Sequence, residues 1–243
     1  MKFLSPPVVE VVIGAQFKDS VFNNKAIFDY YNIIKDRYPN IQENQILPAV
    51  IERNNTPNTQ RLIAGFNSRK LFINQSDSRL VQIQANKLLF NWRKTPDEDY
   101  PHFNTVVKEF KGIYDNLNSQ YHISDKLDQL EITYVDHFLL EEFQKEDYNP
   151  SGILNILNID YSMKNVECSI TFPIQDISSN LNFTLRSATR NIDNKKLLVM
   201  ETTCRGFDSN IPIFNWYEQA HKEVTNLFLK ITTSSSKNKW EKI

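Results

Sequence analysis

Arg79-Leu-Val-Gln-Ile-Gln-Ala-Asn-Lys-Leu-Leu-Phe-Asn-Trp-Arg-Lys94 is the stretch that decides the fold. Around Gln82 and Gln84 polar and apolar residues alternate, which is the period of a strand that buries one face. A second apolar run follows at once, and the Asn86-Lys87 step between the two runs favours a hairpin turn. The stretch therefore predicts two neighbouring antiparallel strands, at 79–84 and 87–93.

The same two hydrophobic periods place the other elements along the chain. Alternating or β-branched runs predict further strands at 8–17, 46–52, 61–66, 70–75, 130–138, 166–174, 181–186 and 196–205. A period of three to four residues predicts helices at 22–38, from about 101 to 119, and from about 214 to 233. The polar residues 234–239 are expected to form a loose tail.

This order of elements predicts an α+β fold made of two antiparallel-sheet units, each closed by an amphipathic helix. The first unit is residues 1–121, and the second, an antiparallel meander plus a helix, is residues 122–243. One such unit alone would bury too little apolar surface to be more than marginally stable. We therefore expect the two sheets to join or abut and the units to share a core.

Composition narrows the classes of function. Of the 243 residues, 40% are hydrophobic and 23% are charged, and the formal net charge is −1, so nothing global attracts nucleic acid or an anionic membrane. Five glycines and the absence of a glycine-rich phosphate motif argue against a nucleotide-binding fold. No apolar run approaches the ~20 residues that span a bilayer. Cys168 and Cys204 lack metal-ligand spacing, and we expect a cytoplasmic protein with reduced thiols.

Several short patches occur in the order that marks one group of proteins. They are Pro6-Pro7-Val8-Val9-Glu10, Tyr38-Pro39, Leu80-Val-Gln-Ile-Gln84, Asn91-Trp92-Arg93-Lys94 and Tyr100-Pro101-His102-Phe103. In these patches the chain resembles a sporadically distributed family of prokaryotic proteins of unknown activity. The resemblance supplies no reaction and no catalytic residues. It implies accessory or mobile gene neighbourhoods, and hence defence or antitoxin-like work, by association alone.

A mixture of basic and aromatic side chains is the first candidate site. Such side chains on neighbouring strands could stack on and neutralise single-stranded nucleic acid. The alternative is a tryptophan in the core beside a solvated charged face, and the absence of net positive charge favours that alternative. The candidate binding residues are Arg69, Arg79, Trp92, Arg93, Lys94 and His102.

Acidic residues near the predicted second helix are the next candidates. Asp97-Glu98-Asp99 with His102 could ligate a divalent metal, but acids at a helix N-terminus are more often solvated partners of the helix dipole. We therefore expect neither a metal nor another cofactor. The same residues with Arg93 keep a nuclease-like enzyme open as an alternative.

Two further pairs of residues are weaker candidates for a functional site. Glu218 and His221 have the spacing of a carboxylate-bridged metal helix, but such sites need two of these motifs, so a surface pair is the expectation. Asp136 and His137 are adjacent on a strand, so their side chains point to opposite faces and cannot act together as a dyad. No assembled catalytic constellation emerges from the sequence.

The function that these observations favour is a non-enzymatic protein-binding module. The edges of its sheet would pair with another protein or with a second copy of the chain. A partner in a defence or toxin–antitoxin-like system is the form that the resemblance implies. The alternative is a nucleic-acid-binding protein or a nuclease-like enzyme that uses Trp92 and the Asp97–His102 region.

Overall fold

The computed structural model describes residues 3–52, 59–61, 68–156 and 161–240. The described strands are β1 (Val8–Phe17), β2 (Asn40–Asn44), β3 (Ala49–Ile51), β4 (Thr59–Arg61), β5 (Arg69–Ile73), β6 (Arg79–Gln84), β7 (Lys87–Arg93), β8 (Leu127–Leu139), β9 (Glu167–Ile174), β10 (Ser179–Arg190) and β11 (Lys195–Gly206). The described helices are α1 (Asn24–Ile34), α2 (Phe103–Tyr121), α3 (Ile213–Ile231) and α4 (Ser234–Lys239). The predicted α+β class is confirmed.

Within the described residues, nine strands form one antiparallel sheet. Their order is β2-β5-β6-β7-β1-β8-β11-β10-β9, and β3 pairs separately with β4. β1 lies at the centre, where Ile13 faces Phe90 of β7 on one side and Ile132 of β8 on the other. The strands that precede α2 and the strands that follow it therefore meet at the β1–β8 ladder.

The quoted stretch forms the predicted hairpin. β6 and β7 have the predicted bounds, and the two residues between them are Ala85 and Asn86, one position earlier than predicted. Val81 and Phe90 are opposite each other in the ladder, and both side chains lie in the main core. The alternation fixed the buried face because only one register places these apolar side chains under the helices.

The helices lie on the face of the sheet that carries the apolar side chains. α2 packs on β1 and β7, and α3 packs on β8 and β11. Each presents one buried stripe, for example Val106 and Phe110 on α2, and Trp216 and Ala220 on α3. Asn23 caps α1, because its side chain accepts a hydrogen bond from the backbone N–H of Ala26.

Two predictions about the ends of elements need comment. The expected loose tail at 234–239 is wrong, because these residues form α4, which Thr233 caps by accepting a hydrogen bond from the backbone N–H of Ser236. Trp240 then packs against Phe3 and Phe228 and holds the segment down. The strand predicted at 61–66 lies outside the described residues beyond Arg61.

Two apolar clusters fill the space between sheet and helices. The larger includes Val11, Phe110 and Trp216, and the smaller includes Phe3, Phe138 and Trp240. Cys204 belongs to the larger cluster, where burial raises the pKa of its thiol to about 12, and both cysteines are free. No described helix combines the length and the apolar character that a bilayer crossing requires.

Candidate functional site

A cavity of about 470 Å³ lies where the two apolar clusters meet. Its floor is formed by the side chains of β8 and β11 that face the helices, including Tyr134, Asp136 and Thr202. Residues of α3 and the beginning of α2 form its walls, and Phe3 and Val8 close one end. His102, Asn104 and Lys222 are the exposed lining residues, and the cavity is open to solvent where they lie.

Asp136 is the polar residue that breaks the apolar inward row of β8. The residue is 4% exposed, and among the described residues its carboxyl group has no hydrogen bond or ion pair. Met200 and Val8 lie opposite it on the neighbouring strands. Burial raises the pKa of Asp136 to about 8, because an apolar surrounding disfavours the charged form. At neutral pH the cavity floor therefore holds an uncharged carboxylic acid.

A chain of hydrogen bonds crosses the same floor. The hydroxyl groups of Tyr100 and Tyr134 are 3.0 Å apart, and the Tyr134 hydroxyl is 2.9 Å from Nδ1 of His221. Burial raises the pKa of both phenols and lowers the pKa of His221 to about 4. At neutral pH all three groups are uncharged, and each can exchange the roles of donor and acceptor with its neighbour.

Two further features belong to the cavity. Thr202 is opposite Tyr134 in the ladder and 1% exposed, and its Oγ1 has no hydrogen-bond partner among the described residues. The imidazole of His221 stacks on the Phe103 ring with centroids 4.0 Å apart, which fixes its orientation. His102, just before α2, has φ 67° and ψ 156°, a backbone region that residues other than glycine rarely adopt.

The arrangement suits recognition of a small organic molecule. An unpartnered buried hydroxyl and an unpartnered buried carboxyl each cost free energy unless something hydrogen-bonds to them. Thr202 and Asp136 both line a cavity that is large enough for a ligand and otherwise mostly apolar, which is the usual composition of small-molecule sites. Over the described residues, no group of three or more His, Cys, Asp or Glu side chains is placed to hold a metal ion.

The residues of the predicted nucleic-acid site are not gathered on one surface. Trp92 is fully buried under α2, and its ring lies 5.1 Å from that of Tyr100. Arg79 forms ion pairs with Glu98 at 2.5 Å and Glu109 at 3.3 Å, and its side chain is largely buried. Neither the Trp92 ring nor the Arg79 charge is therefore free at the surface in this structure.

The remaining predicted residues are dispersed. Arg93 lies 3.4 Å from the carboxylate of Glu10, and Lys94 lies 3.5 Å from Asp99. Arg69 begins β5 beside the edge strand β2, and burial lowers the pKa of its side chain. His102 alone among the predicted binding residues lines the cavity.

The acidic side chains Glu98 and Asp99 of the loop before α2 form ion pairs with other residues of the protein. Burial opposes the charge of Glu98, but hydrogen bonds from Ser78 and Arg79 outweigh it and lower the pKa of the carboxyl group. Asp97 is exposed, and Asp99 pairs with Lys94 as described above. Through these ion pairs the loop is fastened to Arg79 on β6 and to Lys94 just after β7.

Asp136, Tyr134, Thr202 and His221 were not singled out together from the sequence. The signal for Asp136 is its register, because it shares the inward parity of Ile132 and Phe138 on β8. His221 lies four residues after the buried Tyr217, on the inward side of α3, so the expected surface pair with exposed Glu218 is wrong. Only the strand order brings these positions together, and hydrophobic periodicity does not determine strand order.

The opposite face of the sheet also carries buried charges, but they neutralise one another. Arg205 donates to Glu131 at 2.9 Å and to Glu52 at 2.6 Å, and Lys87 lies 4.0 Å from Glu131. Burial opposes ionisation of Glu131, yet Lys87 and Arg205 lower its pKa overall. This network needs no ligand, whereas Asp136 in the cavity has no such partner in the described part of the chain.

Comparison with known proteins adds no assignment. No protein-family model matches the chain, and no curated protein matches it. The chemistry of the site therefore follows from its own residues, which form an uncharged, hydrogen-bonding floor beneath a mostly apolar cavity with several aromatic rings.

Proposed function

We propose that the protein binds a small organic molecule in the cavity between α2, α3 and the centre of the sheet. The observation that carries this proposal is the side chain of Asp136, which is buried and lacks a partner among the described residues while facing the cavity. A carboxyl group in that position destabilises the unliganded fold. A ligand that hydrogen-bonds to it recovers that free energy on binding.

A binding screen against a cavity-blocking variant tests this proposal. The protein is screened by ligand-observed NMR with a library that contains neutral, cationic and anionic fragments. We expect hits that the wild type binds and that Leu229→Trp and Thr225→Phe bind at least ~10-fold more weakly, because both positions line the cavity. Ile33→Trp adds the same ring on the exposed side of α1 and is the matched control. A library with no hit, or hits unaffected by both blocking variants, would refute the proposal.

A second candidate is self-association through β9, which is the form of protein binding that a specific observation favours. β9 is an edge of the sheet, and its Ile170 and Phe172 are 40% and 37% exposed. They share the face of their buried partners Phe183 and Leu181 on β10. The apolar surface of the sheet thus continues to an uncovered edge, which is where another strand can add.

A second copy of the chain is the partner that fits this edge most simply. An antiparallel pair of β9 strands centred on Thr171 would place Ile170 of one copy opposite Phe172 of the other, twice. Light scattering after size exclusion should show a dimer that Ile170→Lys with Phe172→Lys converts to a monomer. Ile192→Lys, at an exposed turn, should leave the dimer intact. A wild type that is monomeric up to millimolar concentration would eliminate this candidate.

Three finer predictions from the sequence stay proposals. They are the division into units 1–121 and 122–243, a cytoplasmic location, and a partner in a defence or antitoxin-like system. Nucleic-acid binding by the Trp92 region also stays a prediction, and a gel shift with short single-stranded RNA and DNA at low salt tests it.

A further inference from the structure

Within the part of the chain that the structure describes, the floor of the cavity carries one carboxylic acid and no cationic side chain. Asp136 is the acid on the floor, and the titratable side chains that share the cavity with it are Tyr100, Tyr134, His102, His221 and Lys222. Lys222 is exposed at the rim, and burial is the sole cause of the shift in the pKa of Asp136, so no cation among the described residues neutralises this carboxyl group. Tyr100 and Tyr134 offer oxygen lone pairs close by.

Aromatic rings supply the second half of the argument. Rings enter the lining from β8, from both helices, from the loop before α2 and from the N-terminal segment. They are those of Phe3, Tyr100, Phe103, Tyr134, His221 and Phe228. Aromatic rings attract cations through their negative faces, and the attraction is strongest where water is excluded.

We propose that the ligand of this cavity is an organic monocation, with an ammonium group against Asp136 and an apolar body against Phe3, Val224 and Phe228. This inference rests on the proposal that the cavity binds a small molecule, and it specifies the class of that molecule. A neutral ligand leaves Asp136 protonated and gains a hydrogen bond at most. An anion meets no neutralising charge on the cavity floor.

A cation binds more favourably, because the buried Asp136 carboxyl group ionises and forms an ion pair with it. On binding a quaternary ammonium ion, the Asp136 carboxyl group loses its proton to the buffer and the carboxylate pairs with the ligand. The low effective dielectric that disfavours a lone carboxylate strengthens such a pair. A buried charge with a hydrogen-bonding or ionic partner is the arrangement that folded proteins tolerate.

The test uses probes of similar size and shape that differ in charge. The cation is 2-hydroxyethyltrimethylammonium, its neutral match is 3,3-dimethylbutan-1-ol, and its anionic match is 3,3-dimethylbutanoate, each titrated calorimetrically into the full chain. Benzyltrimethylammonium is a second, larger cation. We expect at least one cation to bind ~10-fold or more tightly than the neutral alcohol, and the anion to bind most weakly.

Two variants identify the role of Asp136. Asp136→Asn keeps the shape but cannot ionise, and it should abolish the preference for the cation over the neutral alcohol. Glu218→Gln makes the same replacement of a carboxyl group by an amide at an exposed position of α3 outside the cavity, and it should leave the preference unchanged.

Proton release gives a readout that a purely structural role would not produce. Neither cation carries an acidic proton, so titrations at pH 7 in buffers of different ionisation enthalpy should show release approaching one proton by the wild type and none by Asp136→Asn. Equal or weaker binding of both cations relative to the alcohol would overturn the inference. If neutral fragments still bind and the blocking variants exclude them, the cavity remains a ligand site of another class, whereas no hit of any class removes both proposals.

Discussion

At the residue scale, Asp136 controls the pH dependence of stability at the cavity. The pKa of this carboxyl group is about 8 in the folded protein, against an ordinary value of 3.8. Between these values the unfolded chain has lost the proton and the folded chain keeps it. Stability therefore falls as the pH rises from about 4 to about 8, by up to ~1.4 kcal/mol for each pH unit.

Replacement of Asp136 by asparagine should remove this loss. We expect Asp136→Asn and the wild type to have similar free energies of unfolding near pH 4, and the variant to be the more stable by roughly 2–4 kcal/mol at pH 7.5. Urea unfolding of both proteins at several pH values measures the difference. A constant difference across this range would show that Asp136 is ionised in the folded protein.

His221 should show the opposite dependence. Burial lowers its pKa from 6.5 to about 4, so between these values the unfolded chain is protonated at this residue and the folded chain is not. Stability is thus lost as the pH falls from 6.5 towards 4. We expect His221→Gln, which stays uncharged, to gain stability relative to the wild type over this interval and to show little pH-dependent difference above pH 7. Thermal melting at pH 4.5 and pH 7.5 is the measurement.

Only some features of the cavity residues could be predicted from the sequence. The register of Asp136 on β8 is readable from Ile132 and Phe138, and it marks a polar side chain on an apolar face. Thr202 and His221, which line the same cavity, lie more than sixty residues further along the chain. Their meeting depends on β11 pairing with β8, which is a property of tertiary topology and not of local pattern.

At the element scale, the strands and helices with strict periodicity were predictable. β1, β6 and β7 have the predicted bounds, because alternation and a tight turn leave one register that buries the apolar side chains. α4 was missed, since its stability comes from the Thr233 cap and from Trp240, which packs against distant rings. A short polar helix has no hydrophobic period of its own.

Two glycines allow a test of how tightly the elements pack. A Cβ added at Gly206, the end of β11, would lie 2.5 Å from the carbonyl oxygen of Ser178 and 2.6 Å from Cα of Ser179, whereas one added at Gly112 of α2 would meet nothing within 4 Å. We expect Gly206→Ala to destabilise the protein by ~1–3 kcal/mol, because backbone has to move. Gly112→Ala should stabilise it by ~0.5–1 kcal/mol through the higher helix propensity of alanine. Urea denaturation of the two variants measures both changes in the free energy of unfolding.

At the scale of the whole molecule, the main core draws on both ends of the chain. Val11 and Phe110 come from the part before residue 121, and Ile132 and Trp216 come from the part after it. The buried hydroxyl of Tyr217 on α3 also donates a hydrogen bond to the carbonyl of Gly14 on β1, at 2.7 Å. α+β class could be predicted from element order, but the central place of β1 could not, because it depends on long-range pairing.

This sharing predicts a single cooperative unfolding transition. Phe replacements that leave only Trp92, or only Trp216, provide fluorescence probes before and after residue 121. We expect their urea transitions to coincide with each other and with the loss of circular dichroism. Separate midpoints, or separately folded fragments after proteolysis near 122–128, would show two independent units.

The position of β1 has a consequence for synthesis. The chain emerges from the ribosome with β1 ahead of every other strand described here, and β7 can pair with only one of its sides. The other side keeps its amide and carbonyl groups unmatched until β8 has been translated. A nascent chain that paused before that point would expose an unpaired strand edge at what later becomes the middle of the sheet, and such an edge is prone to aggregate. Chaperone capture or aggregation of ribosome-stalled intermediates should therefore peak just before residues 127–139 emerge and decline after them.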